Sequence, residues 1–173
     1  MICTQGDSIY CMPPISTPAA KVLILGSIPG QKSLEEQCYY AHPRNGFWPI
    51  MAQLLGGNPR EYREMVTVMQ TNRVGIWDVI KSCERSGSLD SAIDNNSIKV
   101  NNFDKFFRDH PFLKAVFFNG RKAEQEYFRF VEQTIFQKVE KLHYQRLPST
   151  SPAMATMGLA EKVEHWRIIL KFL

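Results

Sequence analysis

No stretch of this 173-residue chain approaches the roughly 18 consecutive apolar residues that a membrane-spanning helix requires, so no membrane partner is expected. The first residues, MICTQGDSIYCMPPIS, show no basic segment leading into an apolar core. No secretory leader is therefore expected, and a cytoplasmic location follows, or a nuclear one in a nucleated cell. Cysteine is sparse: the four, Cys3, Cys11, Cys38 and Cys83, form no CxxC pair and have no closely spaced His neighbours. Metal sites usually draw their ligands from such pairs. Four thiols could still meet in space around an iron–sulfur cluster, but reduced, partly buried thiols are the plainer reading. No metal and no organic cofactor is expected. Internal repeats, low-complexity tracts and domain linkers are also missing, which leaves a single domain over residues 1–173. Its first 16 residues, with Pro13-Pro14, are expected to lie loosely over the body. The formal charge of +4 permits a phosphate backbone as partner without demanding one.

What is present alternates between strand and helix. Lys21-Val22-Leu23-Ile24-Leu25 is a continuous apolar run stopping at Gly26, as in a strand buried on both faces. Phe47, Trp48, Ile50, Met51, Leu54 and Leu55 recur at helical spacing, with Gly56-Gly57 as the stop. A second helix is expected over Glu61–Met69, then a strand or strand exit at Val74–Ile80. Ser82–Asn96, rich in Ser, Asn and Gly, is expected to form a long surface loop. A helix from Asn101 or Asn102 that ends before Pro111, a strand over Leu113–Phe118, a helix from Arg121 to about Gln133, a short strand at Tyr144–Leu147 and a last helix from about Gly158 to Lys171 complete the pattern. The expected class is α/β: a three-layer α/β/α sandwich around a mainly parallel sheet of about four strands. Ligands of such sheets bind beyond the carboxyl ends of the strands, where the Gly26, Asn119 and Pro148 loops fall.

Several segments at that edge carry chemistry. Gly26-Ser27-Ile28-Pro29-Gly30 lets the backbone approach a ligand, and its amides could hold a phosphate or a carbonyl oxygen. It has neither the Lys of a triphosphate loop nor the third Gly of a dinucleotide fingerprint, so a tight structural turn is an equal reading. YYAHPRNGFW, residues 39–48, crowds aromatic rings, a His and an Asn into ten positions. Asn45 could cap the following helix, serve chemistry, or do both. His42 before Pro43 fits a structural turn, and Asp78 fits either a loop brace or a carboxylate acting on water. Asn119-Gly120, closing the strand that ends at Phe118, is a common turn pair.

Taken together, GSIPG (26–30), YYAHPRNGFW (39–48), VGIWDVI (74–80), FFNGRKA (117–123) and LPSTSPA (147–153) resemble, in order, the motifs of the uracil-DNA glycosylase superfamily. The likeness spans most of residues 20–170. One departure sets the branch. The mismatch-specific relatives carry a water-positioning Asn at the third position of the glycine loop, where this chain has Ile28, and an apolar side chain cannot orient water. The hypoxanthine-DNA glycosylases resemble this sequence both in the apolar loop residue and in relying on an Asn in the HPxN stretch, here Asn45. The resemblance implies a monofunctional DNA glycosylase that hydrolyses the N-glycosidic bond of a deaminated base, hypoxanthine before uracil, in DNA. It further implies Asn45 as the catalytic residue, and Tyr40, Ser27, Ile28 and Asn119 around the flipped base. Ser149, Ser151 and Gly30 would meet DNA phosphates, with His42 and Asp78 as further candidates. Tyr40 falls where those relatives stack on the base, a contact worth about 1–3 kcal/mol against the cost of unstacking; its plainer reading is a core tyrosine. The loop at 147–153 corresponds to the second signature loop, with Leu147 replacing the His of the classical enzymes. A monomer is expected. Two alternatives stay open: a uracil or mismatch-specific glycosylase, and a non-catalytic module that binds a nucleotide or damaged DNA.

Overall fold

The computed structural model describes residues 7–87, 89–132 and 142–173. Strand β1 (Asp7–Tyr10) comes first, followed by β2 (Val22–Gly26), α1 (Gln31–Glu36), α2 (Phe47–Leu55), α3 (Tyr62–Thr71) and β3 (Val74–Asp78). Then come β4 (Ile80–Arg85), a 3-10 turn at Asp90–Ala92, β5 (Lys99–Val100), α4 (Phe103–Asp109) and β6 (Ala115–Asn119). Helix α5 (Arg121–Glu126) runs into a π turn at Tyr127–Val131; β7 (His143–Leu147) and α6 (Leu159–Trp166), the latter extended by a 3-10 helix at Arg167–Phe172, complete the chain.

A four-stranded sheet in the order β3-β2-β6-β7, parallel throughout, forms the middle layer. Each of its central strands alternates between two buried faces. Val22, Ile24, Ala115 and Phe117 pack against α2, α3 and α6, while Leu23, Leu25, Val116 and Phe118 pack against α4 and α5. Burial on both faces is why the sequence shows unbroken apolar runs here instead of alternation. Each of these Val, Leu, Ile and Phe side chains contributes about 1.5–3 kcal/mol of transfer free energy. This is the expected three-layer α/β/α sandwich.

A second, antiparallel sheet, β1-β4-β5, does not follow from the sequence. It corrects two expectations. Ser82–Arg85 belongs to β4 and not to a surface loop, because Ile80, Cys83 and Arg85 turn inward between exposed Lys81 and Glu84. Residues 7–16 are tied to the body instead of lying loosely on it. Asp7–Tyr10 pairs with Ser82–Arg85, Met12 is buried, and Ile15 exchanges backbone hydrogen bonds of 2.9 and 2.8 Å with Ile76. Residues 1–6, with Cys3, lie outside the described residues, as does the expected helix end at Gln133.

Strand order reverses between β2 and β6. The loops leaving these two strands diverge there and open a crevice at the carboxyl edge of the sheet.

Candidate active site

The crevice encloses about 1360 Å³ and takes lining residues from the turns after β2, β6 and β7, from Asp78 at the end of β3, from Leu89 and Asp90 beyond β4 and from residues 39–45. Its shape depends on one buried threonine. Thr150, 1% exposed, donates its backbone N–H to Asn119 Oδ1 and accepts Asn119 Nδ2 at Oγ1, both at 2.9 Å. Its carbonyl accepts Gly46 N–H at 2.9 Å. Three separate motifs are thus locked together through one residue. Gly120 permits the approach, with φ +94°; a Cβ there would lie 3.0 Å from that of Ser149. On the far side, Trp166 Nε1 donates to Pro148 O at 3.0 Å.

Residues 39–48 are held just as firmly. Tyr39 is buried, its hydroxyl 3.2 Å from the carbonyls of Met12 and Pro13, and its own carbonyl accepts Trp48 Nε1 at 2.8 Å. Tyr40 follows with φ +55°, a left-handed conformation that is uncommon for a bulky side chain. That turn carries its ring onto Phe47, centroids 4.0 Å apart and planes 22° from parallel. Phe47 takes one face of the Tyr40 ring, and Tyr40 also lines the crevice. Its hydroxyl is sealed from solvent with no hydrogen-bond partner among the described residues. Burial raises its pKa, Asp78 adds to the rise, and a polar interaction with the Asn119 amide opposes it.

Asn45 Oδ1 accepts the N–H of Phe47 at 3.0 Å, so the amide does brace the start of α2. The same bond fixes the side-chain orientation, and Nδ2 keeps no protein partner among the described residues while Asn45 lines the crevice. His42, half-buried, accepts Arg44 N–H at Nδ1 (3.1 Å) and also lines it.

Asp78 ends β3 on the crevice floor, 3% exposed, with Oδ2 buried and unpartnered among the described residues. Burial, reinforced by Asp90 and only partly opposed by Arg85, pushes its pKa up to about 8, so the carboxyl is mainly neutral at pH 7. Gly26 is what admits it: a Cβ on that glycine would lie 2.5 Å from Asp78 Oδ1 and 3.2 Å from the Tyr40 hydroxyl.

The remaining candidates separate. Ser27 lines the crevice but donates its hydroxyl to the Asp90 carboxylate at 2.9 and 3.1 Å. Ile28 does not face the crevice: it packs with Ile9, Ile80, Cys83 and Ile93 behind the loop. Gly30 lines it with open space where a side chain would be. Asn119 spends its carbonyl oxygen and one amide hydrogen on Thr150, as above. Ser149 and Ser151 accept backbone N–H groups of Ser151 and Ala153 at 3.2 Å, which leaves their hydroxyl hydrogens free to donate.

Three contributors were missed from sequence. Thr150 is one; extended-chain alternation, which places it opposite Ser149 and Ser151, could have found it. Asp90 is another. The third, Arg85, is 2% exposed and grips the glycine loop from behind, donating to Pro29 O at 2.7 Å and Gly87 O at 2.8 Å; a charged residue within a polar stretch gives no signal of this.

A family model described as the uracil DNA glycosylase superfamily matches residues 13–173. The chain is 37% identical over 113 residues to a hypoxanthine DNA glycosylase of Methanosarcina acetivorans, covering 64% of this chain and 70% of the relative. A protein of the same name from Methanosarcina barkeri is 35% identical over 113 residues with the same coverage. The solution NMR structure of a candidate uracil DNA glycosylase from Methanosarcina acetivorans superposes with a TM-score of 0.75 at 29% identity, over 95% of this chain and 99% of the other. The family match spans every motif that builds the crevice: this chain belongs to the uracil DNA glycosylase superfamily.

Proposed function

We propose that this protein acts on DNA as a monofunctional glycosylase that releases hypoxanthine from deoxyinosine by hydrolysis, leaving an abasic site. The observation that carries the reading is the Asn45 amide, pinned by its bond to Phe47 N–H at the wall of a crevice that Tyr40 also lines. A flipped base needs a flat surface to recover a few kcal/mol of lost stacking, and the Tyr40 face not taken by Phe47 supplies one. Bond cleavage leaves negative charge on the departing ring. Because the Asn45 carbonyl oxygen is occupied, its free Nδ2 is suited to donate to that charge, the kind of preorganised contact that dominates such catalysis.

Ile28 supports hypoxanthine over uracil or mismatch activity in a negative sense. Its side chain leaves the crevice altogether, so the glycine loop offers no group to position water in the manner of the mismatch-specific branch. Lys32 and Lys122, the lysines that line the crevice, are engaged with Glu36 at 3.1 Å and Glu126 at 2.8 Å. Neither is a free amine for a Schiff base, in keeping with hydrolysis without strand cleavage. Ser149, Ser151 and Gly30 are the phosphate contacts of the reading, and the enzyme acts as a monomer. Incubation with duplexes carrying hypoxanthine, xanthine or uracil in one sequence context tests it. Hypoxanthine should be released fastest; release of none of the three removes the assignment, and faster uracil release moves it to the uracil branch.

A further inference from the structure

Resting on the glycosylase reading, the geometry points to Asp78 as the proton donor to the departing base. Asp78 is fixed at the end of a central-sheet strand, its backbone carbonyl held by Asn101 Nδ2 at 2.8 Å. Its carboxyl nevertheless has a buried oxygen, Oδ2, that no described residue answers. A buried polar atom without a partner costs about 1–3 kcal/mol, and native proteins keep few of them. The Tyr40 hydroxyl shares that condition, and it and Asp78 Oδ1 both lie against the space that a Gly26 side chain would fill, with all three residues lining the crevice. An incoming base that fills this corner satisfies both.

The surroundings keep the carboxyl in its acid form. Arg85 from β4 is the cation that bears on it, and two of that guanidinium's nitrogens donate to the Pro29 and Gly87 carbonyls instead. Asp90 from the 3-10 turn faces it with like charge, and Tyr39, Tyr40 and Cys11 bring protonated groups with raised pKa values. Nothing near Asp78 rewards ionisation more than burial penalises it.

The step balances. The C1′–N bond breaks and its electron pair enters the purine ring. The Asp78 O–H proton passes to a ring nitrogen or to the carbonyl oxygen of the base, which departs neutral. Asp78 is left as a carboxylate, water adds its oxygen to C1′, and the proton that water loses returns to Asp78 through solvent. Asn45 and Asp78 then divide the work: one donates a hydrogen bond to the developing charge, the other removes it.

The test is single-turnover base release from a deoxyinosine duplex between pH 6 and pH 10, comparing wild type with Asp78→Asn. The variant keeps the volume and a donor but has no proton to give. General-acid loss predicts a rate lower by about 100-fold or more at pH 7 with duplex affinity unchanged. Wild type should lose rate about tenfold per pH unit above the carboxyl titration, and Asp78→Asn should keep only the shallower limb that the base's own lactam N–H imposes. A variant as fast as wild type, or one that is slower with the wild-type alkaline limb intact, overturns the proposal. Difference infrared spectroscopy of the wild type does not depend on the variant folding: a carboxylic C=O band lost near pH 8 is expected, and a carboxylate already formed at pH 7 overturns it. If wild type releases no base from any lesion, the glycosylase reading fails; wild-type activity with an indifferent Asp78 removes this inference alone.

Discussion

Replacing Asn45 separates what its two amide atoms do. The carbonyl oxygen accepts Phe47 N–H at the start of α2, and the nitrogen has no protein partner among the described residues while Asn45 lines the crevice. Asn45→Ala removes both. Loss of a side-chain acceptor at a helix start costs about 1 kcal/mol, which for a chain of this length lowers the melting midpoint by roughly 2–4 °C. Asn45→Asp keeps the acceptor and adds a negative charge at the helix N-terminus, worth about 0.3–1 kcal/mol in the favourable direction. Stability should therefore place Asn45→Asp at or above wild type, and Asn45→Ala below it.

Activity should rank differently. Both variants lose the amide hydrogens, and removing one preorganised donor slows comparable reactions about 10²–10³-fold. The aspartate also points a negative charge at a ring that is gaining one, so it should be at least as slow as the alanine in spite of its stability. Melting curves and single-turnover base release on the same preparations decide the matter. If Asn45→Asp cleaves at the wild-type rate, the amide-donor argument is refuted, since the oxygen alone would then suffice. If Asn45→Ala melts with wild type, the brace is refuted.

Four further outcomes follow from the same geometry. Thr150→Val leaves a part-buried Asn119 amide hydrogen unanswered and should cost about 1 kcal/mol, seen as a lower urea midpoint at unchanged slope. Tyr40→Phe removes a buried hydroxyl that has no partner, so thermal stability should hold or rise while hypoxanthine release slows; a clear loss of stability would show that the hydroxyl is satisfied in the fold. Arg121, exposed on the rim and without an ion pair among the described residues, is a candidate phosphate contact: Arg121→Ala should reduce the slope of log affinity against log salt by about 1. Asp78 ties stability to pH. Its pKa is raised from 3.8 unfolded to about 8 folded, so the folded state binds the extra proton and stability falls as pH climbs between those values, by at most ~1.4 kcal/mol per unit; Asp78→Asn should flatten that part of the urea-midpoint profile.

The central sheet was legible because strands buried on both faces leave continuous apolar runs, and because Gly26 and Asn119-Gly120 mark where they stop. The helices around Phe47 and Phe103 were legible from spacing and caps; Asn102 Oδ1 does accept Lys105 N–H at 2.9 Å. The antiparallel sheet was not. β4 is half-exposed and alternates Lys81 and Glu84 with Cys83 and Arg85, so charge masks its inward face, and β1 is too short to stand out. In the crevice the order of the motifs indicated where the walls lie, but not which way side chains turn. Ile28 leaves the crevice because the satellite core behind the loop needs an apolar plug, and that core is built by the very sheet the sequence concealed. Thr150 was passed over for its two neighbours because a hydroxyl residue within Ser149-Thr150-Ser151 looks equally solvated at all three positions.

The irregularities of the fold are unevenly distributed, and the distribution is informative. Five buried side-chain atoms have no hydrogen-bond partner among the described residues: Tyr40 Oη, Asp78 Oδ2, Arg85 Nη1, Asp104 Oδ1 and Glu126 Oε2. Asp104 and Glu126 are ordinary cases, each paired through its other oxygen to Arg108 and Lys122. Arg85 is half-answered by two carbonyls. Tyr40 Oη and Asp78 Oδ2 are not offset by a second bonded atom of the same group, and the two residues flank one bare glycine. Tyr40 adds a left-handed backbone, which costs an L-residue of its size roughly 1–2 kcal/mol. Gln37 and Arg73 also have positive φ, but both are turn residues beside helix ends, outside the crevice. Local rules that are obeyed through the core and broken together in one corner are what a binding site looks like before its ligand arrives. On that ground the corner between Tyr40 and Asp78, and not the wider crevice, is the place we propose for the ring of the base.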